Sequence, residues 1–381
     1  MRFSILVLCL LLPQIRTKCV VDYDMICDQI SDLTIYGNNK LSTLVIGNNN
    51  KIPSETLKED TFKDYPNLEE LTIISTINKL ETEAFKGLSK LLVLKLYKNS
   101  IGTLTDFTFI ILPHLTKLDL QNNNIQYINT TGPFIYTNLK TVNLSFNKLR
   151  YLNWQAFAAP GLERLLITHN EIMEIGNHNV FSEDLLLLNL DHNKLFNIEG
   201  EVFNNLQKLE ELVISNNRIT MLWTKGRLSL QSLLKLNLSH NQIVQIDENY
   251  FSQLPKLKNL YLNHNFIKRL PSEFSQMKLY TLHLHSNRLQ NIEMIVIHPT
   301  QYLQELTVAN NPIPCTCMDN IFLYMELQGI KSTACEDSYL KNGSYPTCVG
   351  TDSAWSHGKC ILSEPIDDYI YDFFDKNTNP C

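Results

Sequence analysis

Six of the ten histidines share one stretch and one spacing. His169, His192, His240 and His264 each stand directly before an asparagine, and His283 and His285 follow two residues apart. Imidazole titrates near neutral pH and is the commonest metal-ligating side chain. If these positions recur on neighbouring strands about 4.8 Å apart, His240 and His264 come into contact. Such a pair would suit zinc, a surface that responds to pH, or a polar position that simply tolerates histidine. The last is the reading adopted, and neither a metal nor a cofactor is expected.

Catalytic signatures are missing from the sequence. It holds no Gly-x-Ser-x-Gly, no phosphate-binding loop and no His-Glu-x-x-His. Asp and His scattered over a flat surface do not make a shielded pocket, so no enzymatic activity is expected.

The cysteines follow a different logic. Of nine, Cys9 lies in the N-terminal apolar run, and the other eight sit at the two ends. Cys19 and Cys27 come first. Cys315, Cys317, Cys335, Cys348, Cys360 and Cys381 come last, with none between Cys27 and Cys315. An even number in an oxidising compartment reads as disulfides. Cys19–Cys27 is the expected hairpin bridge. The six C-terminal cysteines allow about 15 connectivities, and zinc at Cys315-Thr316-Cys317 is disfavoured for want of partner ligands.

What positions these residues is a repeat. Leu233–Ile243 reads Leu-Leu-Lys-Leu-Asn-Leu-Ser-His-Asn-Gln-Ile. The same pattern, L-x-x-L-x-L-x-x-N-x-L, is anchored at Asn99, Asn123, Asn147, Asn170, Asn193, Asn217, Asn241, Asn265, Asn287 and Asn311. Successive anchors lie 22 to 24 residues apart. Two irregular units precede them, anchored at Asn49 and Thr76, which makes about twelve in all. This spacing builds one strand per coil of a solenoid. The apolar positions turn inward and stack from coil to coil. The asparagine cannot be buried unpaired, because that costs on the order of 2 kcal/mol or more. It is therefore predicted to bond the backbone of its own turn and of the next coil, as a ladder. A second column in phase, Phe62, Phe85, Phe109, Phe157, Phe181, Phe203, Phe251 and Phe274, is predicted to form an aromatic spine in the core.

The chain then divides as follows. Residues 1–17 have the form of a signal peptide, with Arg2 before an apolar run too short to span a bilayer. Residues 18–40 read as an N-terminal cap, 41–313 as the solenoid, 314–360 as a cysteine-rich C-terminal cap and 361–381 as an acidic tail. Met318–Leu327 has helical periodicity and would cover the last coil. No later stretch approaches about 20 apolar residues, so no membrane insertion is expected and the mature protein is expected to be secreted and extracellular. Net charge of −6 and a pI near 5.9 argue against a nucleic-acid surface.

In these features the chain resembles the extracellular leucine-rich repeat family over about Leu41 to Cys360. The ending Asn311-Pro-Ile-Pro-Cys-Thr-Cys, with Cys335 and a later cysteine, is similar to that family's cysteine-rich C-terminal cap. The signal peptide, irregular first units and capped repeats most resemble the leucine-rich immune proteins of mosquitoes, in their coil-less type. The better-known members carry a coiled coil and a Cys-Cys pair that are not found here. The resemblance implies an α/β-type repeat solenoid: a leucine-rich repeat horseshoe with a parallel concave sheet and disulfide-stapled end caps. It implies Cys315–Cys335, and Cys317 with Cys348 or Cys360. It also implies protein–protein binding in innate immunity, with a protein partner such as an immune factor or a pathogen surface. An extracellular adhesion or matrix protein without an immune role is the alternative.

On the concave face the expected binding residues are Tyr261, His283, His285 and Asp191. Leu166 and Leu187, with Phe146 at the edge, add an apolar cluster. Sequons at Asn129, Asn143, Asn237 and Asn342 mark glycan acceptors, two of which, Asn143 and Asn237, fall on that face. In the tail, Tyr369 and Tyr371 lie among Asp367, Asp368 and Asp372, a setting for sulfation.

Overall fold

A computed structural model describes residues 19–21, 25–27, 30, 40–47, 55–105, 112–129, 138–151, 154–157, 160–175, 182–198, 200–203, 205–223, 225, 228–292, 302–332, 354–356 and 359–361. The chain forms two compact units, the first from 1–148 and 155–162, the second from 149–154 and 163–381.

In the first unit, β1 (Cys19–Val21) pairs antiparallel with β2 (Met25–Cys27), which places Cys19 directly opposite Cys27. Cys27 is disulfide-bonded. β2 then pairs in parallel with β3 (Thr43–Ile46). β4 (Glu70–Ile73), β5 (Val93–Lys95), β6 (Lys117–Asp119) and β7 (Thr141–Asn143) follow, each parallel to the one before. In the second unit, β8 (Arg164–Leu166), β9 (Leu187–Asn189), β10 (Glu211–Val213), β11 (Lys235–Asn237), β12 (Asn259–Tyr261), β13 (Thr281–His283) and β14 (Glu305–Thr307) make a parallel sheet in chain order.

Each of these parallel strands spans one coil and is only three or four residues long, so side-chain alternation decides everything. The middle position turns inward. Leu71, Leu94, Leu118 and Val142 stack in the first unit, and Leu165, Leu188, Leu212, Leu236 and Leu260 in the second, all fully buried. The flanking positions face the open side. The asparagine ladder forms as its spacing predicts. Asn241 donates from Nδ2 to Ile214 O (2.9 Å), a coil earlier, and to Leu238 O (3.1 Å) in its own turn. Its Oδ1 accepts from Ile219 N (3.1 Å).

Two positions explain why the first coils look irregular. Thr76 is buried in an anchor position, but its hydroxyl finds no partner among the described residues. The ladder is instead met by Asn99, whose Oδ1 accepts from Thr76 N and Ile77 N at 3.0 Å each. Gly47 has φ +94°, and a Cβ there would lie 2.0 Å from Ile74 O, so the close approach of the next coil requires glycine. Asn49 lies outside the described residues.

The predicted aromatic column is buried wherever it is described. Phe62 and Phe85 stack at 6.3 Å and within 4° of parallel, whereas Phe251 and Phe274 meet edge-on at 5.6 Å. Phe109 and Phe181 lie outside the described residues.

The helix expected at Met318–Leu327 is α1 (Cys315–Gln328) and starts three residues earlier. Pro314 is the N-cap, with φ −54° and an extended ψ of 139° that ends the preceding chain, and it brings no N–H that would need a partner there. Gly329, at φ 67°, ends the helix in the left-handed conformation. Met318, Ile321, Phe322 and Met325 are buried. Beyond the helix, Lys331 runs alongside β14, with Leu306 N donating to Lys331 O (3.0 Å) and Lys331 N to Gln304 O (2.8 Å). The last strand's free edge is thereby covered at this point. Cys317 is disulfide-bonded.

A candidate binding face on the second unit

One backbone feature sets the side chains along the rim of the sheet. In every regular coil the residue before the anchor asparagine adopts a left-handed conformation. His169, His192, His240 and His264 have φ of 52–53°, and Asn216, Ser286 and Asn310 have φ of 50–56°. Asn and His are enriched in that conformation. The histidines therefore have a structural reason to be there that the sequence reading, which treated the position as merely tolerant, did not supply. Equivalent turns on adjacent coils also align their rings. His240 and His264 stack at 4.1 Å, 16° from parallel, and His169 and His192 at 4.1 Å, 8° from parallel.

The expected contact residues Tyr261, His283 and His285 come together. Tyr261 and His283 are register partners on β12 and β13, and their rings meet edge-on at 4.8 Å. His283 Nε2 lies 2.9 Å from Glu305 Oε1, and His285 Nδ1 lies 2.6 Å from Thr307 Oγ1. His285 also meets His264 edge-on at 5.1 Å. The rim stack and the open face are thus one connected group of rings, which reaches from His240 through His264 and His285 to His283 and Tyr261. Lys235 Nζ sits 5.8 Å from the Tyr261 ring centre and 2.9 Å from Glu211 Oε1.

Three of these imidazoles, His240, His264 and His285, are shifted toward the neutral form. Burial, then the neighbouring His264, His283 and His240, push the His285 pKa down to about 3. Burial also lowers His264, with His240 contributing, and lowers His240. Burial raises the Tyr261 phenol.

Asp191 is the polar hub of the neighbouring coils. Its Oδ1 accepts from Ser215 Oγ (2.6 Å) and Asn216 Nδ2 (2.9 Å), while Oδ2 lies 2.7 Å from His192 Nδ1. Burial opposes its ionisation, but the Ser215, Asn216 and His192 contacts prevail and hold the carboxyl below its usual value.

The apolar pair is less available than its composition suggests. Leu187 is register partner to Arg164 and only 8% exposed; Leu166, partner to Asn189, is half-buried. Phe146 is exposed but belongs to the first unit. Of the sequon asparagines, Asn143 is half-buried on the open side of the first unit's sheet, and Asn237 on that of the second unit's. Asn237 Oδ1 accepts from Ser239 N (3.0 Å) and Ser239 Oγ (2.7 Å). The backbone of Asn129 ends the short strand Tyr127–Asn129. Asn342, Cys335, Cys348, Cys381, Tyr369 and Tyr371 lie outside the described residues, as do the side chains of Cys19, Cys315 and Cys360.

Six copies of the BspA type leucine rich repeat region match residues 55–187, and the leucine rich repeat matches 183–243 and 224–267. The chain belongs to the leucine-rich repeat family. Bovine osteomodulin is 30% identical over 197 residues, 45% of this chain and 44% of osteomodulin. Toll-like receptor 3 of Boselaphus tragocamelus is 29% identical over 224 residues, 47% of this chain and 25% of the receptor. Lumican of Coturnix japonica is 28% identical over 211 residues, 53% of this chain and 59% of lumican. In none of the three does the match reach two thirds of the relative's length. Among solved structures, the leucine-rich repeat domain of APL1B superposes with a TM-score of 0.64 at 21% identity, covering 94% of this chain and 98% of that one. A chain of the LRIM1/APL1C complex gives 0.53 at 20% identity, covering 94% and 73%. These likenesses establish a leucine-rich repeat fold, a scaffold for protein interaction. Among the described residues no helix is long and apolar enough to cross a membrane.

Proposed function

We propose that this is a secreted, non-enzymatic leucine-rich repeat protein of innate immunity that binds a protein partner on the open face of its second unit. The observation that carries the reading is the joined group Tyr261, His283 and His285. Tyrosine gives large contact area at little entropic cost. His285, held neutral by burial, can donate one hydrogen bond and accept another without the desolvation penalty of a full charge. The flat sheet around them lends itself to a broad partner rather than a small molecule. Likeness in fold to the LRIM1/APL1C complex and in sequence to Toll-like receptor 3 supports the immune setting.

Asn237 is register partner to Tyr261. A glycan on Asn237 would shade Tyr261, so the reading favours approach from the His283 side or an unmodified Asn237. The matrix alternative rests on the sequence matches to osteomodulin and lumican. Affinity capture from extracellular fluid followed by mass spectrometry names the partner. Tyr261→Ala with His283→Ala should then weaken its binding at least tenfold with the melting temperature kept. Undiminished affinity moves the site elsewhere. Transcript levels that rise on infection favour the immune role, and steady tissue expression favours the matrix role.

A further inference from the structure

We propose that His169, Asp191 and His192 form a binding site for one divalent transition-metal ion of the zinc class. One ligand atom from each residue lies within 4.8 Å of the others, the only such group of three among the described residues. Two imidazole nitrogens and a carboxylate oxygen suit zinc, copper or nickel better than calcium or magnesium, which prefer all-oxygen sites. Three protein ligands would leave a fourth position for water or for a side chain of a bound partner.

The fold positions all three. His169 N donates to Asp191 O (2.9 Å), and Asn170 N to His192 O (3.2 Å), so the two coils are locked in register at this point. Both histidines leave their strands through the same left-handed turn, at φ 52° and 53°. The carboxylate is oriented from behind. Ser215 and Asn216 hold Oδ1, which directs Oδ2 to His192 Nδ1 at 2.7 Å. Supporting bonds of this kind fix the direction of a ligating carboxylate. Zinc bonds of about 2.0–2.2 Å would replace the Asp191–His192 hydrogen bond and require the rings to turn toward each other. The His192 side chain is 46% exposed and has room to do so.

The molecule contains its own control. His240 and His264 occupy the same turn position and stack at the same 4.1 Å. The residues before them are Ser239 and Asn263, where Asp191 precedes His192. Stacked histidines are thus a by-product of the repeat, and the braced carboxylate distinguishes the His169–His192 pair.

The test uses the unreduced, secreted full chain, freed of metal by chelator dialysis and titrated calorimetrically with zinc chloride. One saturable zinc per chain is expected. Asp191→Asn and His192→Ala should each weaken it at least tenfold, and Ser215→Ala by about tenfold through the carboxylate. The double variant His240→Ala, His264→Ala should leave it unchanged. Cobalt chloride should give visible absorption bands of a four-coordinate ion that vanish in Asp191→Asn. Absence of saturable zinc binding overturns the proposal, as does binding that survives both Asp191→Asn and His192→Ala. Loss of binding in the His240, His264 variant also overturns it. Equal melting temperatures of the metal-free variants separate these outcomes from misfolding.

Discussion

Asn217 Nδ2 donates to the carbonyl of Leu190, a full coil earlier, at 3.0 Å. The same amide reaches Ile214 O (3.2 Å) and Ser215 O (2.9 Å), and its Oδ1 accepts from Leu195 N (3.0 Å). Leucine would fill the space but make none of these bonds. Leu195 N–H would lose its acceptor. Leu190 O and Ile214 O would each keep only one of two asparagine donors, Asn193 and Asn241 respectively. Asn217→Leu should therefore cost about 2 kcal/mol or more, read as a lower calorimetric melting temperature. A melting temperature unchanged from wild type would refute the ladder.

That ladder was legible because a period of 22–24 residues repeats ten anchors in phase, and burying an amide dictates its pairing. The open-face columns were legible for the same reason, since strand alternation leaves no other side for Tyr261 and His283. What the sequence concealed lies between coils. His169 and Asp191 are 22 residues apart in the chain and fall in different columns, and only the inter-coil register and the left-handed turn bring them together. Leu187 is hidden for a related reason. The run Leu185–Leu188 reveals which residues turn inward, but not that the outward one is covered by its neighbours.

Tyr250 opens a short 3-10 turn, Tyr250–Gln253, with its ring wholly buried edge-on against Phe251 at 5.1 Å. Its hydroxyl finds no hydrogen-bond partner among the described residues, and burial drives the phenol pKa well up. A buried, unpaired hydroxyl costs about 1–3 kcal/mol. Tyr250→Phe should therefore match or exceed wild-type stability in urea denaturation. A loss above about 1 kcal/mol would mean that the hydroxyl is paired.

Cys27 and Cys317 are both disulfide-bonded, one beside each end of the repeats. Cys19 faces Cys27 across the β1–β2 pair and is the expected partner. In the secreted form proposed above, without residues 1–17, all eight remaining cysteines should be bridged. Thiol titration of denatured, unreduced protein should find none free, and one or more per chain would contradict the fully bridged arrangement. Cys27→Ala should cost about 2–4 kcal/mol by releasing the N-terminal hairpin.

The partly buried His285 should make stability depend on mild acid. His285 has a pKa near 3 when folded and an ordinary value near 6.5 when unfolded. Between those values the unfolded chain binds more protons, so stability rises with pH. Its contribution is complete above about 6.5 and drains away as the pH falls toward 3. From pH 7 to 5 the loss from this residue should be about 2 kcal/mol. His264 and His240, also lowered by burial, act in the same direction; His283 lies beside the His285 ring, with Glu305 against it, and Asp191 and His192 act on His240. His285→Asn keeps a polar side chain beside Thr307 but cannot titrate. Urea midpoints measured from pH 5 to 7 should therefore show a shallower slope in the variant than in wild type. Equal slopes would mean that His285 takes up its proton in the folded protein as readily as in the unfolded chain, and burial would then not hold its ring neutral.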